Sequence, residues 1–303
     1  MRRGPAPDNR CVPGGVATLE RVDRVQLVVR DRQAAARTFA AVLGGEPVGE
    51  SESAYLGARR TVLALGESEV ELCEPAGPGR ALAHLERWGE GLMTAGFSVA
   101  DLSALRARLA GLGVAAEADG AQCYLDAADT VGMPVVLTPR AAARRPVGLV
   151  SHLYEVTSTI LSDWRAAAIR FTALFGLDPV RFSTIGSERF GYVGTLTLFD
   201  PPARLDRIEI SQVVSPGSAM GRWVARRGDS LYMCYAETAA VPPIIERLEA
   251  RRCRWTPRGP DPRAERDGLW VHPSALHGLL LGISRTTLAW EWSGRPHLVA
   301  PLP

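Results

Sequence analysis

The sequence predicts an α+β protein in which four βαβββ modules pair into two domains. Two observations lead to this prediction: the order of strand, helix and several strands recurs four times, and each helix is amphipathic with a recognisable start or stop signal. Strands joined by one helix and then by hairpins are typical of α+β folds rather than doubly wound sheets. Because one module cannot cover both its helix and its sheet, we expect modules to pair around a shared cleft.

The first domain is predicted over residues 21–140. Alternating apolar and β-branched residues from Val22 onward indicate a strand, and Asp31 is suited to cap a helix that ends at Gly44. The second module repeats this order, with a helix capped by Asp101 and ended by Gly113. The remaining strands of this domain are predicted at residues 60–65, 69–74, 92–99, 122–125 and 134–137.

The second domain is predicted over residues 148–285, after a linker at 141–147 that is rich in arginine, alanine and proline. Its first helix spans residues 163–175, with Gly176 as the stop, and strands follow at 194–199 and 207–213. The helix of the fourth module is expected to begin at Pro242 or Pro243, since proline suits a first turn. Residues 1–20 are predicted to be a disordered leader, and residues 286–303 a tail packed on the domain surface.

Composition excludes several classes of function. The net charge of +2 creates no strong field toward nucleic acid or membrane, and no apolar run approaches the roughly 18 residues of a membrane span. The five cysteines lack metal-binding spacing, and the N-terminus lacks the apolar segment of a signal peptide, so a reducing cytoplasm is the expected location. All 35 basic residues are arginine, which excludes Schiff-base and Walker-type mechanisms that need lysine.

The repeated order resembles that of the vicinal-oxygen-chelate superfamily, which includes glyoxalases, bleomycin-resistance proteins and extradiol dioxygenases. The run VELCEPAGPG and the following HLERWGEGLMTAGFSVADLSALRARLAGLGV resemble methylmalonyl-CoA epimerase in order and spacing. The second half contains the similar runs RRGDSLYMCYAET and GLWVHPSALHGLLLGIS. The resemblance covers residues 20 to 285 and implies two glyoxalase-like domains.

The resemblance also implies positions for metal ligands, which in this family are histidine and carboxylate or amide side chains on four inward-facing strands. In the first half these positions carry Arg24, Glu71, Thr94 and Val136. Arg24 would repel a metal ion, so we expect an Arg24–Glu71 ion pair to fill a degenerate site and the first half to be structural or dimerising.

In the second half the resemblance places the ligand positions at His152, Glu209, Met233 and Gly282. Two ligands, His152 and Glu209, are too few for a tight divalent site. No cofactor is therefore expected, and a divalent metal held by His152 and Glu209 remains the alternative. A register slip of one residue would bring Tyr232 into the pocket in place of Met233.

The candidate site therefore lies in residues 148–285. His152, Glu209 and Tyr232 are the predicted catalytic residues, with His152 as base, Glu209 as its partner and a tyrosine as oxyanion donor. The predicted substrate-binding residues are Tyr154, Met233, Tyr235 and His272. Each also has an ordinary structural interpretation. His152 would then be a hydrogen-bonded residue of a strand, Glu209 a carboxylate that faces solvent, the tyrosines packing residues of the core, and His272 a turn residue.

Three functions remain open at this point. The first is an enzyme that acts on a small oxygenated substrate by acid–base chemistry, as an isomerase, epimerase or lyase. The second is a binding protein of the bleomycin-resistance type without turnover, and the third is a metal-dependent dioxygenase with displaced ligands drawn from His272 or His277. The expected partner is a small molecule, with no nucleic acid or membrane, and the chain is a possible homodimer. An apolar cleft lined by aromatics serves all three functions.

Overall fold

The computed structural model describes residues 18–142, 145–259 and 267–301. In these ranges the chain forms two eight-stranded sheets and six α-helices, so the predicted α+β class with two glyoxalase-like units is confirmed. Most of the predicted disordered leader, residues 1–17, and part of the predicted linker lie outside the described residues. No helix in the described part of the chain is long and apolar enough to cross a membrane.

The N-terminal sheet and its helices follow the predicted module order. Its strands are β1 (Leu19–Val28), β2 (Glu46–Ser53), β3 (Ala58–Leu65), β4 (Ser68–Pro75), β5 (Gly91–Val99), β6 (Glu117–Asp119), β7 (Gln122–Leu125) and β8 (Val135–Pro139). Its helices are α1 (Arg32–Leu43), α2 (Arg80–Trp88) and α3 (Leu102–Gly111).

The C-terminal sheet repeats this order. Its strands are β9 (His152–Ile160), β10 (Ser183–Ser187), β11 (Tyr192–Leu198), β12 (Arg207–Val213), β13 (Ser230–Thr238), β14 (Trp255–Pro257), β15 (Gly268–Val271) and β16 (Leu281–Arg285). Its helices are α4 (Trp164–Phe175), α5 (Ala219–Arg227) and α6 (Pro242–Ala250).

The two sheets have the same topology. The strand order is β2-β3-β4-β1-β5-β8-β7-β6 in the first and β10-β11-β12-β9-β13-β16-β15-β14 in the second. In each sheet the first strands of the two modules pair antiparallel at the centre, and each also pairs parallel with the last strand of its own module. The strands that carry ligands in this family are therefore neighbours in both halves.

Local sequence signals explain where the main helices begin and end. The Asp31 carboxylate accepts hydrogen bonds from the first free amides of α1, and Gly44 ends the helix in the left-handed region at φ 76°. Asp163 and Gly176 do the same for α4. The short helices α2 and α5, which join the modules within each half, were not predicted because neither has an apolar repeat long enough to recognise.

The two halves share a hydrophobic core. Phe97 of the N-terminal half lies 6.3 Å from Phe175 and 5.9 Å from Phe199 of the C-terminal half, measured between ring centroids. Polar contacts cross the same boundary, since the Val22 amide donates to Asp206 at 2.7 Å. The buried faces of the helices and sheets thus pack inward, which leaves the opposite, concave face of each sheet to form a site.

Candidate functional site

In the N-terminal half, a polar network occupies the positions at which the sequence predicted a degenerate metal site. Arg24 Nη1 donates to Glu71 Oε1 at 2.6 Å, which confirms the predicted ion pair. The Arg24 guanidinium also contacts Asp23 and Glu69, so each of its three nitrogens has a carboxylate partner. Glu71 in turn accepts from Gln26 at 2.8 Å, and its side chain is 1% exposed.

An open cavity adjoins this network. It has a volume of about 440 Å³ and is lined by polar side chains that include Arg60, Gln122 and Thr138. The Arg60 guanidinium donates to Gln122, Ser51 and the Glu52 carbonyl oxygen, so its nitrogens are also partnered. The Arg60 guanidinium at the base of the cavity is therefore hydrogen-bonded within the protein, and the cavity has space for a small molecule.

Strand register corrects the predicted ligand positions in the C-terminal half. In the N-terminal sheet, Arg24 pairs with Glu69 and Gly96. At the same place in the C-terminal sheet, Glu155 pairs with Arg207 and Tyr235. The counterpart of Arg24 is therefore Glu155, and the prediction that His152 takes this position is wrong.

A β-bulge precedes the matched residue in both halves, since the pairing of β1 with β5 also shifts, between Val22 and Arg24. The pairing of β9 with β13 shifts between Leu153 and Glu155, so the strand does not alternate regularly at Tyr154. A regular strand would place Tyr154 and Glu155 on opposite faces. The bulge instead brings both side chains to the same group of residues, where Arg207 contacts each of them.

Glu155 and Glu209 form a buried carboxyl pair on the concave face of the C-terminal sheet. Burial, then the charge of Glu155 and a hydrogen bond with it, raise the pKa of Glu209 well above its usual value. The Ser211 hydroxyl donates to Glu209 at 2.5 Å and acts in the opposite direction. Burial and the neighbouring carboxylate therefore both favour the protonated form of Glu209.

Arg207 forms a buried ion pair with Glu155. Its Nε donates to Glu155 Oε2 at 2.6 Å, and both side chains are fully buried. The guanidinium carbon lies 4.8 Å from the centre of the Tyr154 ring and 6.0 Å from that of Trp292, at cation–π distance. Among the described residues, Arg207 Nη2 has no hydrogen-bond partner.

Neither half fits the divalent ion that the fold family implies. In the N-terminal half the Arg24 guanidinium replaces the first ligand. In the C-terminal half Met233 and Gly282 supply no hard donor, and a side chain at Gly282 would meet the Tyr235 ring, because a Cβ at this position would lie 2.0 Å from Tyr235 Cε1. The described residues contain no cluster of three or more His, Cys, Asp or Glu side chains that could hold a metal.

The structure brings several predicted residues together beside the carboxyl pair. Tyr154, Met233 and Tyr235 are buried in one cluster on this face. The Tyr154 hydroxyl lies 3.0 Å from Ser284 Oγ, and the Tyr235 hydroxyl accepts from Trp270 Nε1 at 2.8 Å. These phenols already have partners, so their rings contribute chiefly an apolar wall.

Tyr232 is half-buried at the edge of the cluster. Its ring packs edge-on against Trp223 at 5.2 Å between centroids. Burial raises the pKa of Tyr232, and the charge of Glu209 contributes in the same direction, so the two groups interact electrostatically.

The two predicted histidines lie apart from the carboxyl pair. His152 Nε2 is 3.8 Å from Glu237 Oε2, at the start of β9, and its ring lies edge-on to Tyr154 at 6.5 Å. Burial, with the nearby charge of Arg204, lowers the pKa of His152 to about 4. His272 bonds to Thr256 across the outer hairpin at 2.7 Å. The structure therefore shows neither histidine in contact with Glu209.

Sequence reasoning missed Glu155, Arg207 and Tyr192. Burial raises the pKa of Tyr192, with the charges of Glu209 and Glu155 as the next causes, and its pairing opposite Val213 puts it on the same face of the sheet as Glu209. Arg207 and Glu209 stand on the same side of Ile208 in β12, so their shared face was a usable signal. Glu155 gave no comparable signal because the bulge that redirects it depends on tertiary pairing.

Comparison with known proteins agrees with this architecture. Residues 23–126 match the model of the Glyoxalase/Bleomycin resistance protein/Dioxygenase superfamily. No curated protein sequence matches the chain.

Solved structures resemble the chain in fold at low sequence identity. A variant of 4-hydroxymandelate synthase from Streptomyces coelicolor is 13% identical, with a TM-score of 0.66 over 89% of this chain and 93% of that one. A xylose isomerase-like TIM barrel/4-hydroxyphenylpyruvate dioxygenase fusion protein is 12% identical, with a TM-score of 0.61 over 90% of this chain and 50% of that one. Methylmalonyl-CoA epimerase from Mycobacterium tuberculosis is 22% identical, with a TM-score of 0.38 over 44% of this chain and 95% of that one.

Proposed function

Because residues 23–126 match the Glyoxalase/Bleomycin resistance protein/Dioxygenase superfamily, we propose that the chain is an enzyme of this superfamily that works by acid–base chemistry without a full metal site. The observation that carries the proposal is the buried carboxyl pair of Glu155 and Glu209. In this proposal the two carboxyl groups share one proton, so the pair can accept a proton from a substrate and return it, as an isomerase, epimerase or lyase requires.

The surroundings of the pair support a small oxygenated substrate. Glu209 is 7% exposed, so the pair reaches the edge of the solvent-accessible face. Tyr192 and Tyr232 lie near it and provide phenol groups, while Met233 and Tyr235 form an apolar wall. An apolar pocket with few polar groups is typical of small-molecule sites. In this assignment Glu209 replaces His152 as the group that exchanges the proton.

The test is exchange of carbon-bound hydrogen with solvent. The full chain is incubated in D₂O with a set of small ketones, aldehydes and thioesters, and loss of the proton signal next to the carbonyl is followed by NMR. We expect at least one compound to exchange, and Glu209→Gln to slow this exchange at least about 100-fold, the usual contribution of an acid–base group. Glu246→Gln, on an exposed part of α6, is the control.

Failure to exchange any of these compounds above the Glu209→Gln background would overturn the proposal. Unchanged melting of the Glu209→Gln protein is needed to show that a loss of exchange does not reflect unfolding. The substitution keeps the side-chain shape, and it replaces a carboxyl whose pKa burial raises, so the fold is expected to tolerate it.

A second candidate function is ligand binding without turnover, and the cavity of the N-terminal half favours it. The cavity is large enough for a small molecule, and Gln122 and Thr138 line it. In this case the same compounds would bind without hydrogen exchange, and Gln122→Leu would weaken binding while Glu209→Gln would not. Saturation-transfer NMR with both variants distinguishes the two functions.

A further inference from the structure

The two halves place an arginine against the carboxylate that corresponds to a metal ligand, and they differ in how fully that arginine is bonded. In the N-terminal half each guanidinium nitrogen of Arg24 has a carboxylate partner. In the C-terminal half Arg207 donates through Nε to Glu155, while Nη2 has no partner among the described residues. The difference is analogous to that between a closed structural metal site and a catalytic one with an open position.

A buried guanidinium donor without a partner is costly to retain. Loss of a buried hydrogen bond costs about 1–3 kcal/mol, and more when the group is charged. The Arg207 side chain is fully buried, and it is held by Glu155 on one side and by the Tyr154 ring on the other. Its orientation is therefore fixed, and Arg207 stands on the same face of β12 as Glu209.

We propose that Arg207 Nη2 binds the carbonyl oxygen of a neutral, enolisable substrate and acts as the oxyanion donor in place of a metal ion. This inference rests on the proposed acid–base function of the Glu155–Glu209 pair. Arg207 would then be a catalytic residue that contacts the reacting atoms.

The charge balance of the step selects a neutral substrate. Before the reaction, Arg207 carries one positive charge and the carboxyl pair one negative charge. A C–H bond next to the substrate carbonyl breaks, its proton passes to the pair, and its electron pair forms a C=C bond as the carbonyl oxygen gains the negative charge. Arg207 then faces an enolate oxygen instead of a carboxylate, so the buried net charge stays at zero throughout. A substrate whose own carboxylate bound here would leave an uncompensated charge.

The experiment uses 4-nitrophenol, whose phenolate is a coloured mimic of an enolate. The probe is titrated in the presence of the full chain, and the pKa of the bound phenol is read from its absorbance. We expect the wild-type protein to favour the bound phenolate by about tenfold, that is, to lower the probe's pKa by about one unit.

A charge-matched double variant isolates the hydrogen bond from the charge. Arg207→Met with Glu155→Gln removes one charge of each sign, which leaves the net charge of the site unchanged and avoids the buried unpaired carboxylate that would destabilise the single variant. We expect the double variant to bind the probe without lowering its pKa, and added guanidinium ion to restore part of the shift. Glu155→Gln alone keeps the arginine and should lower the probe's pKa further.

Arg108→Met is the matched control, since this half-buried arginine donates only to the carbonyl oxygens of Ala173 and Thr172. An equal pKa of bound probe in the wild type and the double variant, or no detectable binding of the probe, would overturn the inference. Because the readout needs no turnover, it is independent of the proposed enzymatic function. A shift that depends on Arg207 in a protein that exchanges no hydrogen would refute the acid–base proposal and retain the oxyanion donor.

Discussion

The N-terminal and C-terminal halves share one topology but use the same central strand positions differently. In the first half, Arg24 and Glu71 belong to a network in which every described nitrogen and oxygen of the pair is bonded, and an open cavity lies beside it. In the second half, Arg207 keeps one free nitrogen and Glu209 an elevated pKa. The two copies of the topology thus differ in whether the hydrogen-bonding capacity of the central arginine is used up within the fold.

The largest expected effect is the difference in unfolding free energy that is lost when each of the two arginines is replaced. Arg207→Met leaves Glu155 charged and buried without its cation, which should cost about 3–5 kcal/mol of unfolding free energy. Arg24→Met should cost about 1–2 kcal/mol, because Glu71 still accepts from Gln26.

Urea unfolding of both variants, with Glu155→Gln added to Arg207→Met, measures this difference. Recovery of most of the lost stability in the double variant is expected. Equal costs for the two arginines would show that the halves do not differ in the way that the hydrogen bonds indicate.

The second effect is the pH dependence of stability, where His152 and Glu209 act in opposite directions. The pKa of His152 is lowered from 6.5 to about 4, so the unfolded chain binds a proton that the folded chain does not. Stability should therefore fall by about 2–3 kcal/mol as the pH falls from 6.5 toward 4. His152→Gln should remove this loss, as measured by urea unfolding across that range.

Glu209 affects the folding stability at higher pH than His152 does. Its pKa is raised above the usual 4.5, so the folded chain retains a proton that the unfolded chain releases. Its contribution is fully present below pH 4.5 and is lost as the pH rises through the folded-state pKa. Glu209→Gln should flatten this loss, while Glu246→Gln should leave it intact. A wild-type stability that rises between pH 5 and 8 by an amount that Glu209→Gln does not change would contradict the shared-proton assignment.

A smaller effect compares one central glycine from each half. A Cβ at Gly282 would lie 2.0 Å from a carbon of the buried Tyr235 ring, and one at Gly96 would lie 2.1 Å from Arg24 Cγ. Gly282→Ala should cost about 1–3 kcal/mol, because a packed ring cannot move aside easily. Gly96→Ala should cost a similar amount, because moving Arg24 Cγ aside would draw its guanidinium away from the carboxylates that bind it. Thermal melting of both variants measures the two losses, and a negligible loss for Gly96→Ala would show that Arg24 can move without losing its ion pairs.

The smallest expected effect is that of metal removal. Arg24 in one half, and Met233 and Gly282 in the other, supply no ligand for a hard divalent ion. We expect dialysis against EDTA to leave the melting temperature and hydrogen exchange unchanged, and elemental analysis to find less than stoichiometric metal. About one iron, zinc, manganese or cobalt per chain would show that a site exists outside the positions described.

The sequence by itself determined the fold class, the module order and the main helix limits. Asp31 and Gly44 mark the ends of α1, and alternation along β12 marks its two faces, because these signals depend on residues close in the chain. The Arg24–Glu71 pair could also be predicted, since the first half follows the family pattern closely enough to fix its register.

Only the tertiary structure decided which residue of β9 faces the site. Pairing with β12 and β13 puts Glu155, and not His152, at the position that Arg24 has in the first half, and both of these strands are distant from β9 in sequence. The raised pKa of Glu209 likewise arises from burial and from a carboxylate on a neighbouring strand. Such properties belong to groups that are distant in sequence and adjacent in space, so local patterns could not reveal them.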